Sequence, residues 1–333
     1  MALLLVAIEV SAGSRSLRIS GADDRIVVPN SPQLNPPGAI TIEAWVRPGG
    51  TTFCRTIVDK NRTSGYSLAI CNGKLRFYTS GLNSSRDGVS DIPIGEWTHV
   101  AVTFDGVRRV YYINGIIDFE ADTPAPLPVN TSELFIGGAP SFSCGFSSCN
   151  FIGDIAEVRV WDVARSRSDI REDIAVQISE PRDGLAGLWH LENSARESFG
   201  RYASVVEGDA TFLGLGAPPV RDNPLRIPRM LVPDFDGRCD NYTSNLRIPV
   251  WNEGPFERLQ WLNLGASGAF LYACLEGMQF SAGGFAALYI DPTNDATTFA
   301  QPDDFRAVVT SGGSFFTEAG AGNSGGFMPG GPA

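Results

Sequence analysis

The sequence has few of the residues from which zinc centres are built. Its 333 residues include two histidines and six cysteines, and no two cysteines are spaced as Cys-x-x-Cys. Structural zinc sites take four cysteine or histidine ligands, commonly in such closely spaced pairs. A zinc site is therefore not expected.

Basic residues are scarce as well. Lysine and arginine total 26 against 37 aspartates and glutamates, which gives a net charge of -11 at pH 7. Proteins that bind nucleic acid need a basic footprint to displace counterions from the phosphates, so a nucleic acid partner is not expected. No apolar run is long enough for a transmembrane segment after the N-terminus.

The first residues resemble a targeting segment. Residues 1–8 are apolar, and the small residues Ser11, Ala12 and Gly13 follow. This is typical of the end of a signal peptide, although the basic start is missing and Glu9 interrupts the run. We interpret residues 1–13 as a signal-peptide remnant, which implies a misplaced start or a fragment, and we expect a secreted or cell-surface protein.

The cysteines occur as three pairs that are close in sequence: Cys54 with Cys71, Cys144 with Cys149, and Cys239 with Cys274. An even number of cysteines in an oxidising compartment indicates disulfides, each of which stabilises the fold by roughly 2–4 kcal/mol. The sequence does not fix the pairing, and buried free thiols in a cytosolic protein are the alternative.

Alternating apolar residues and tight-turn dipeptides dominate the first two hundred residues. In residues 39–47, one face carries Ile40, Ile42, Ala44 and Val46, as a half-buried strand requires. Asn-Gly dipeptides at 72–73 and 114–115 separate further apolar runs, and such dipeptides favour two-residue hairpin turns. These patterns predict an all-β fold of antiparallel strands.

One segment has the period of a helix. Ile170, Ile174 and Ile178 are four residues apart, and Ser166 with Asp169 forms a capping-box pattern. We predict one short amphipathic helix over residues 166–178 that packs on the sheets, with a helix offered to a partner as the alternative.

Composition divides the chain into two domains. Residues 214–233 contain five prolines and little periodicity, as a linker would. The predicted organisation is a first β domain over residues 14–218, a Pro-rich linker over 219–230, and a smaller, incomplete β domain over 231–333.

Five motifs of the first domain resemble, in order, the laminin-G-like, concanavalin A-like and pentraxin-related lectin domains. They are GADDRIVVP at 21–29, IEAWV at 42–46, EWTHVAVTFDG at 96–106, YING at 112–115 and GDIAEVRVW at 153–161. The resemblance implies a jelly-roll sandwich of two curved antiparallel sheets. Its members usually bind carbohydrate or protein outside the cell, often with calcium.

The resemblance also implies a metal ligand. Asp24 would coordinate calcium, although it could instead cap its own turn, as aspartate commonly does. Calcium-binding members often carry a further acid two residues after the position of Asp154. Here that position is Ala156, which removes an expected ligand.

The second domain more loosely resembles a family-nine-type carbohydrate-binding module, through residues 235–239, 271–277 and 285–291. Asp291, Asn294 and Asp295 form an acidic turn that could hold calcium or be merely solvated. Trp251 and Trp261 are candidates for an exposed platform on which a sugar ring stacks.

A glycoside hydrolase is the rival interpretation, because laminarinase-type enzymes resemble the same jelly roll. Retaining hydrolases need two carboxylates about 5–5.5 Å apart, and the pattern Glu-x-Asp-x-x-Glu does not occur. We therefore predict a non-catalytic carbohydrate-binding or adhesion protein whose ligand is a polysaccharide or glycoprotein. The alternatives are an adhesin that binds protein, or a non-catalytic part of a larger glycoside hydrolase.

Overall fold

The computed structural model describes residues 15–80, 87–140 and 149–213, and after them the backbone of seven strands between Arg247 and Pro329. The chain divides into two compact units, Met1–Cys274 and Leu275–Ala333, and each is described by itself. The predicted linker at 219–230 lies outside the described residues, so the domain boundaries of the sequence analysis stay a prediction.

The first unit contains an antiparallel sandwich, and its larger sheet has eight strands. In spatial order these are β14 (Thr211–Leu213), β1 (Ser16–Ile19), β11 (Gly153–Trp161), β3 (Ile40–Pro48), β7 (Thr98–Phe104), β8 (Arg108–Ile113) and β9 (Ile116–Asp122). The eighth, β12 (Leu185–Trp189), also pairs with β11.

The smaller sheet has six strands. Their order is β13 (Val205–Glu207), β2 (Arg25–Val28), β10 (Leu134–Ile136), β4 (Cys54–Lys60), β5 (Tyr66–Cys71) and β6 (Lys74–Thr79). The predicted all-β sandwich is confirmed.

The Asn-Gly dipeptides close two hairpins with the predicted bounds. Asn72 and Gly73 join β5 to β6 with φ values of 49° and 86°, and Asn114 and Gly115 join β8 to β9 with 52° and 71°. Left-handed backbone at both central residues is the type I′ geometry, whose twist matches that of paired strands.

One continuous apolar core lies between the sheets. Alternate residues of β3, predicted to face inward, contribute to it together with residues of most other strands. Its fully buried members include Ile40, Ile42, Ala44, Val46, Leu68, Phe77, Val102 and Trp189. Burial of this surface, at roughly 25 cal/mol per Å², is the main stabilising contribution to the sandwich.

The opposite face of the larger sheet is buried too, under a helix and its flanking segment. The helix α1 (Arg167–Asp173) begins at Ser166, and the predicted capping box is present: the Asp169 amide donates to Ser166 Oγ, and the Ser166 amide donates to Asp169 Oδ2. Ile170 is fully buried. The helix packs on the sheet, as predicted.

The helix ends earlier than the isoleucine spacing suggested. It stops at Asp173, and Ile174 is its C-cap residue. The buried Arg159 guanidinium donates to the carbonyls of Asp173 at 3.0 Å and Val176 at 2.6 Å. These bonds satisfy the carbonyl of the last helical residue and one that follows the helix, so another helical turn is not needed.

A buried ionic network joins the helical segment to β3. Glu43 accepts hydrogen bonds from Trp161 Nε1 at 2.6 Å and Arg165 Nη1 at 2.8 Å, and Arg165 also contacts Asp173. Although burial raises the pKa of Glu43, contact with His99 and the charges of Arg159 and Arg165 lower it to about 2. The carboxylate is therefore charged inside the fold.

The remaining strands form two smaller sheets. One contains β15 (Arg247–Trp251), β16 (Leu259–Ser267) and β17 (Phe270–Glu276), and the division between the units falls within β17. The other, in the second unit, contains β18 (Phe285–Ile290), β19 (Phe305–Thr310), β20 (Phe315–Gly320) and β21 (Phe327–Pro329). Across the described residues, no helix combines the length and hydropathy that a membrane span would need.

Candidate functional site

A polar site of the sandwich begins at an irregularity in β11. Ile155, Val158 and Val160 all point into the core, a spacing that strict alternation does not allow. The pairing of β11 with β3 shifts register between Ala156 and Arg159, as at a β-bulge. The extra residue turns the Glu157 side chain away from the core.

The bulge holds Glu157 in a left-handed conformation, with φ of 50°. Its amide donates to the His190 carbonyl at 3.3 Å, and Leu191, the next residue, is also left-handed with φ of 64°. Such conformations cost a non-glycine residue on the order of 1–3 kcal/mol each and concentrate at functional sites. Glu157 donates the hydrogen bond between the two segments, and Leu191 directly follows the residue that accepts it.

The Glu157 and His190 side chains form a close pair. Nδ1 of His190 lies 2.6 Å from Oε1 of Glu157, and Arg159 Nη2 donates to Oε2 of Glu157 at 3.2 Å. The Glu157 side chain is 4% exposed and that of His190 is 22% exposed. The buried carboxylate therefore orients an imidazole that reaches solvent.

This pairing favours the charged imidazolium. Burial by itself lowers the pKa of His190, but the hydrogen bond and the negative charge of Glu157 outweigh that effect, so the pKa is raised. Within the described residues, the ring bonds to Glu157 alone, through Nδ1, which leaves Nε2 available to a ligand.

His190 lines a cavity of about 390 Å³, a volume within the usual range of small-ligand sites, roughly 300–1,000 Å³. The lining is mainly polar and supplies imidazole, carboxylate, amide, hydroxyl and guanidinium groups. These belong to His190, Glu192, Asn193, Ser194, Arg196 and Ser198.

The wall of the cavity is a turn that Glu197 holds in place. The Glu197 carboxylate is fully buried and accepts the amides of Phe199 and Arg201 at 3.1 and 2.8 Å. The Arg201 guanidinium pairs with it at 2.7 Å and also donates to the Leu185 carbonyl on β12. The backbone of the turn is therefore fixed to the sheet, so less ordering is needed when a ligand binds.

Asp24, the predicted calcium ligand, lies in a different loop and is 1% exposed. Its Oδ2 accepts the amides of Ser20 at 2.9 Å and Gly21 at 2.7 Å, and its Oδ1 accepts that of Asp209 at 2.7 Å. Burial raises the pKa of Asp24, but these bonds outweigh it and lower the pKa. This is the turn-capping role that the sequence left open.

The surroundings of Asp24 do not fit a calcium ion. Calcium takes six to eight oxygen ligands, whereas both Asp24 oxygens already face amide hydrogens. The other acid of the motif, Asp154, is paired with Arg18 and Arg47, and Ala156 offers no carboxylate. No cluster of three metal-ligating side chains occurs among the described residues. Calcium binding at Asp24 stays a prediction without geometric support.

The structure describes both cysteines of one predicted pair and only part of the other two pairs. Cys54 and Cys71 form a disulfide between directly opposed residues of β4 and β5, so this pair is confirmed. Cys149 is disulfide-bonded as well, while Cys144 lies outside the described residues. Cys239 also lies outside them, and of Cys274 only the backbone position in β17 is described.

The candidates of the second half of the chain are described only in part. Asp291, Asn294 and Asp295 lie outside the described residues. Trp251 ends β15 and Trp261 lies in β16, where Pro249 is opposite Trp261 and Trp251 is opposite Leu259. Because alternate residues share a face, Trp251 and Trp261 occupy the same face of that sheet.

Sequence reasoning missed the pair of Glu157 and His190. The residues are 33 positions apart. The bulge that brings the carboxylate to the imidazole contains no glycine, which is the usual sequence signal of a bulge. A usable signal was the spacing of Ile155, Val158 and Val160, which interrupts the two-residue period.

Residues 20–171 match the family model of the concanavalin A-like lectin/glucanases superfamily, Laminin_G_3. Mouse pappalysin-1 is 26% identical over 191 residues, which make up 50% of this chain and 11% of pappalysin-1. A proposed carbohydrate-binding protein from Bacteroides ovatus has a similar fold, with a TM-score of 0.52, 20% identity, and coverage of 62% of this chain and 61% of that one. The chain thus spans less than two thirds of either relative.

A pentraxin of Limulus polyphemus is a more distant match, with a TM-score of 0.43, 13% identity, and coverage of 61% of this chain and 96% of that one. At 20% identity the Bacteroides match shows the fold alone, and the ligand has to be argued from the site itself.

Proposed function

We propose that the laminin-G-like domain matched at residues 20–171 belongs to a non-catalytic carbohydrate-binding or adhesion protein that acts outside the cell. The observation that carries the proposal is the preorganised polar cavity beside His190. Sugars are bound through many directional hydrogen bonds, and this cavity offers hydroxyl, amide and charged groups on a turn fixed to the sheet. The similar fold of the Bacteroides protein supports the same class of ligand.

The buried carboxylates support the non-catalytic part of the proposal. A glycoside hydrolase needs a general acid whose pKa is raised. Glu43 is instead held charged, with a pKa of about 2. Asp154 and Asp173 are each paired with two arginines, so these groups stabilise the fold.

Filling the cavity tests the proposal. We expect Ser194→Trp, at the cavity wall, to weaken retention on the bound glycans of an array at least tenfold, because the indole occupies the space of a sugar ring. Ser90→Trp, at an exposed position outside the cavity, is the matched control. Equal glycan binding by both variants would place the ligand elsewhere. Binding to cell-surface protein with no glycan signal would favour the adhesin alternative.

A second proposal concerns a calcium site and a sugar contact at the tryptophans of β15 and β16. We propose that any calcium dependence comes from the turn with Asp291, Asn294 and Asp295, and that Trp251 and Trp261 provide a second sugar contact. Two weak sites on one chain add avidity toward a polymeric ligand. Chelator should then weaken binding of the wild type and leave that of Asp291→Asn/Asp295→Asn unchanged.

A further inference from the structure

We propose that the cavity beside His190 selects anionic sugars and holds their acidic group between Arg196 and His190. The inference rests on the proposed function, and it specifies the ligand class of the same site. It depends on which charges of the cavity are already neutralised by neighbours and which are left for a ligand.

The Arg196 guanidinium forms no ion pair with a described neighbour. Its side chain is exposed at the cavity wall, and among the described residues it makes no ion pair or side-chain hydrogen bond. The adjacent Glu197 is not its partner, because that carboxylate is occupied by Arg201 and two backbone amides. A guanidinium that lines a cavity without a partner can bind a carboxylate or sulfate through two parallel hydrogen bonds.

His190 supplies the second donor. Glu157 takes Nδ1, and this fixes the ring and favours its protonation, so that Nε2 carries a hydrogen when the ring is charged. The ring lines the same cavity as Arg196, and in this proposal one anionic group contacts both side chains.

The net charge of the side chains around the imidazole becomes positive when His190 is protonated. Glu157 faces Arg159, and Glu197 faces Arg201, so each of these pairs is neutral. Glu192, which accepts a hydrogen bond from Gln177 at 3.1 Å, offsets Arg196. The remaining charge is that of His190. Affinity for an anion should therefore rise as the pH falls through the pKa of His190.

The test compares three oligosaccharides of equal length by calorimetry at pH 5.5 and pH 8: a uronic acid oligomer, a sulfated oligomer and a neutral oligomer. We expect at least one acidic oligomer to bind about tenfold more tightly than the neutral one at pH 5.5, and to lose about tenfold in affinity at pH 8. The two acidic oligomers distinguish a carboxylate from a sulfate ligand.

Variants assign the effect to the two side chains. Arg196→Gln should remove the preference for acidic sugars, Arg196→Lys should keep part of it, and His190→Gln should abolish the pH dependence. Arg108→Gln makes the same charge change on β8, outside the cavity, and should bind like the wild type. An unchanged thermal midpoint confirms that each variant is folded.

Two failures are distinguishable. If neutral and acidic oligomers bind equally, or Arg196→Gln behaves like Arg108→Gln, the inference is wrong while the proposed function stands. If no oligosaccharide binds at either pH and the glycan array is also silent, the carbohydrate-binding part of the proposed function fails, and the inference fails with it.

Discussion

At the scale of single residues, the two histidines occupy opposite electrostatic settings. His99 is 2% exposed beside Glu43, and burial lowers its pKa despite the attraction of that carboxylate. His190 is partly exposed, and Glu157 raises its pKa. The neutral form of the first imidazole and the charged form of the second are favoured, although each faces a buried glutamate. The difference comes from depth and from the arginines near Glu43.

We expect the two imidazoles to titrate on opposite sides of pH 6.5. His99 should remain neutral below this value, and His190 should remain protonated above it. Because the chain has two histidines, nitrogen-15 NMR can follow both, with His190→Gln assigning the signals. A His190 that titrates below pH 6.5 would contradict the role of Glu157.

The same shifts predict the direction of stability changes with pH. His190 has a raised folded pKa, so its stabilisation is fully present below pH 6.5 and is lost as the pH rises through the folded value. His99 has a lowered folded pKa, so stability falls as the pH drops below 6.5, because the unfolded chain takes up that proton first.

At the scale of elements, the network around Glu43 joins β3 to the segment that carries α1. Removing one partner of a buried ion pair leaves the others desolvated and uncompensated, which typically costs about 3–5 kcal/mol. Glu43 has two such charged neighbours, Arg159 and Arg165, and it also contacts His99.

We expect Glu43→Gln to lower the free energy of unfolding by about 3–5 kcal/mol at pH 7, measured by denaturant titration. Because the pKa of Glu43 is lowered to about 2, the difference from the wild type should shrink as the pH falls from about 4.5 toward 2. Glu207→Gln, in the half-exposed pair with Arg25, is the control and should cost at most about 1 kcal/mol. Equal losses would show that burial of the network contributes nothing.

Turns and helix ends were predictable from the sequence wherever neighbouring residues determine them. Asn72 with Gly73, and Asn114 with Gly115, set both hairpins because the dipeptides themselves adopt left-handed backbone. The start of α1 followed from Ser166 and Asp169 for the same reason. Its end did not, because Arg159 reaches it from a strand that precedes the helix in sequence. The pair of Glu157 and His190 was missed because it depends on a bulge and on a contact between two residues that are distant in sequence.

At the scale of the whole molecule, the net charge of -11 opposes the proposed anionic ligand. Long-range repulsion slows association, whereas the contact with Arg196 acts only at short range. Salt screens exposed charges over a Debye length of about 10 Å at 0.1 M, so the two effects respond differently to ionic strength.

We expect the association rate constant for an acidic oligosaccharide to rise as salt increases from about 0.02 to 0.15 M, because screening reduces the repulsion. The dissociation rate constant should rise too, because the pair with Arg196 weakens. Surface plasmon resonance separates the two constants, and a neutral oligosaccharide is the control. An association rate that falls with salt would indicate a positive field at the cavity that extends into solvent.

The pairing of the first strand of the sandwich with the last has a consequence for where this domain can be inserted in another chain. The first strand of the sandwich, β1, pairs with its last, β14, and Ser16 lies opposite Leu213. The neighbouring β2 and β13 pair in the same way on the other sheet. The chain therefore enters and leaves the sandwich at one place, so the domain can be inserted into a surface loop of an unrelated protein without separating the two ends of its host.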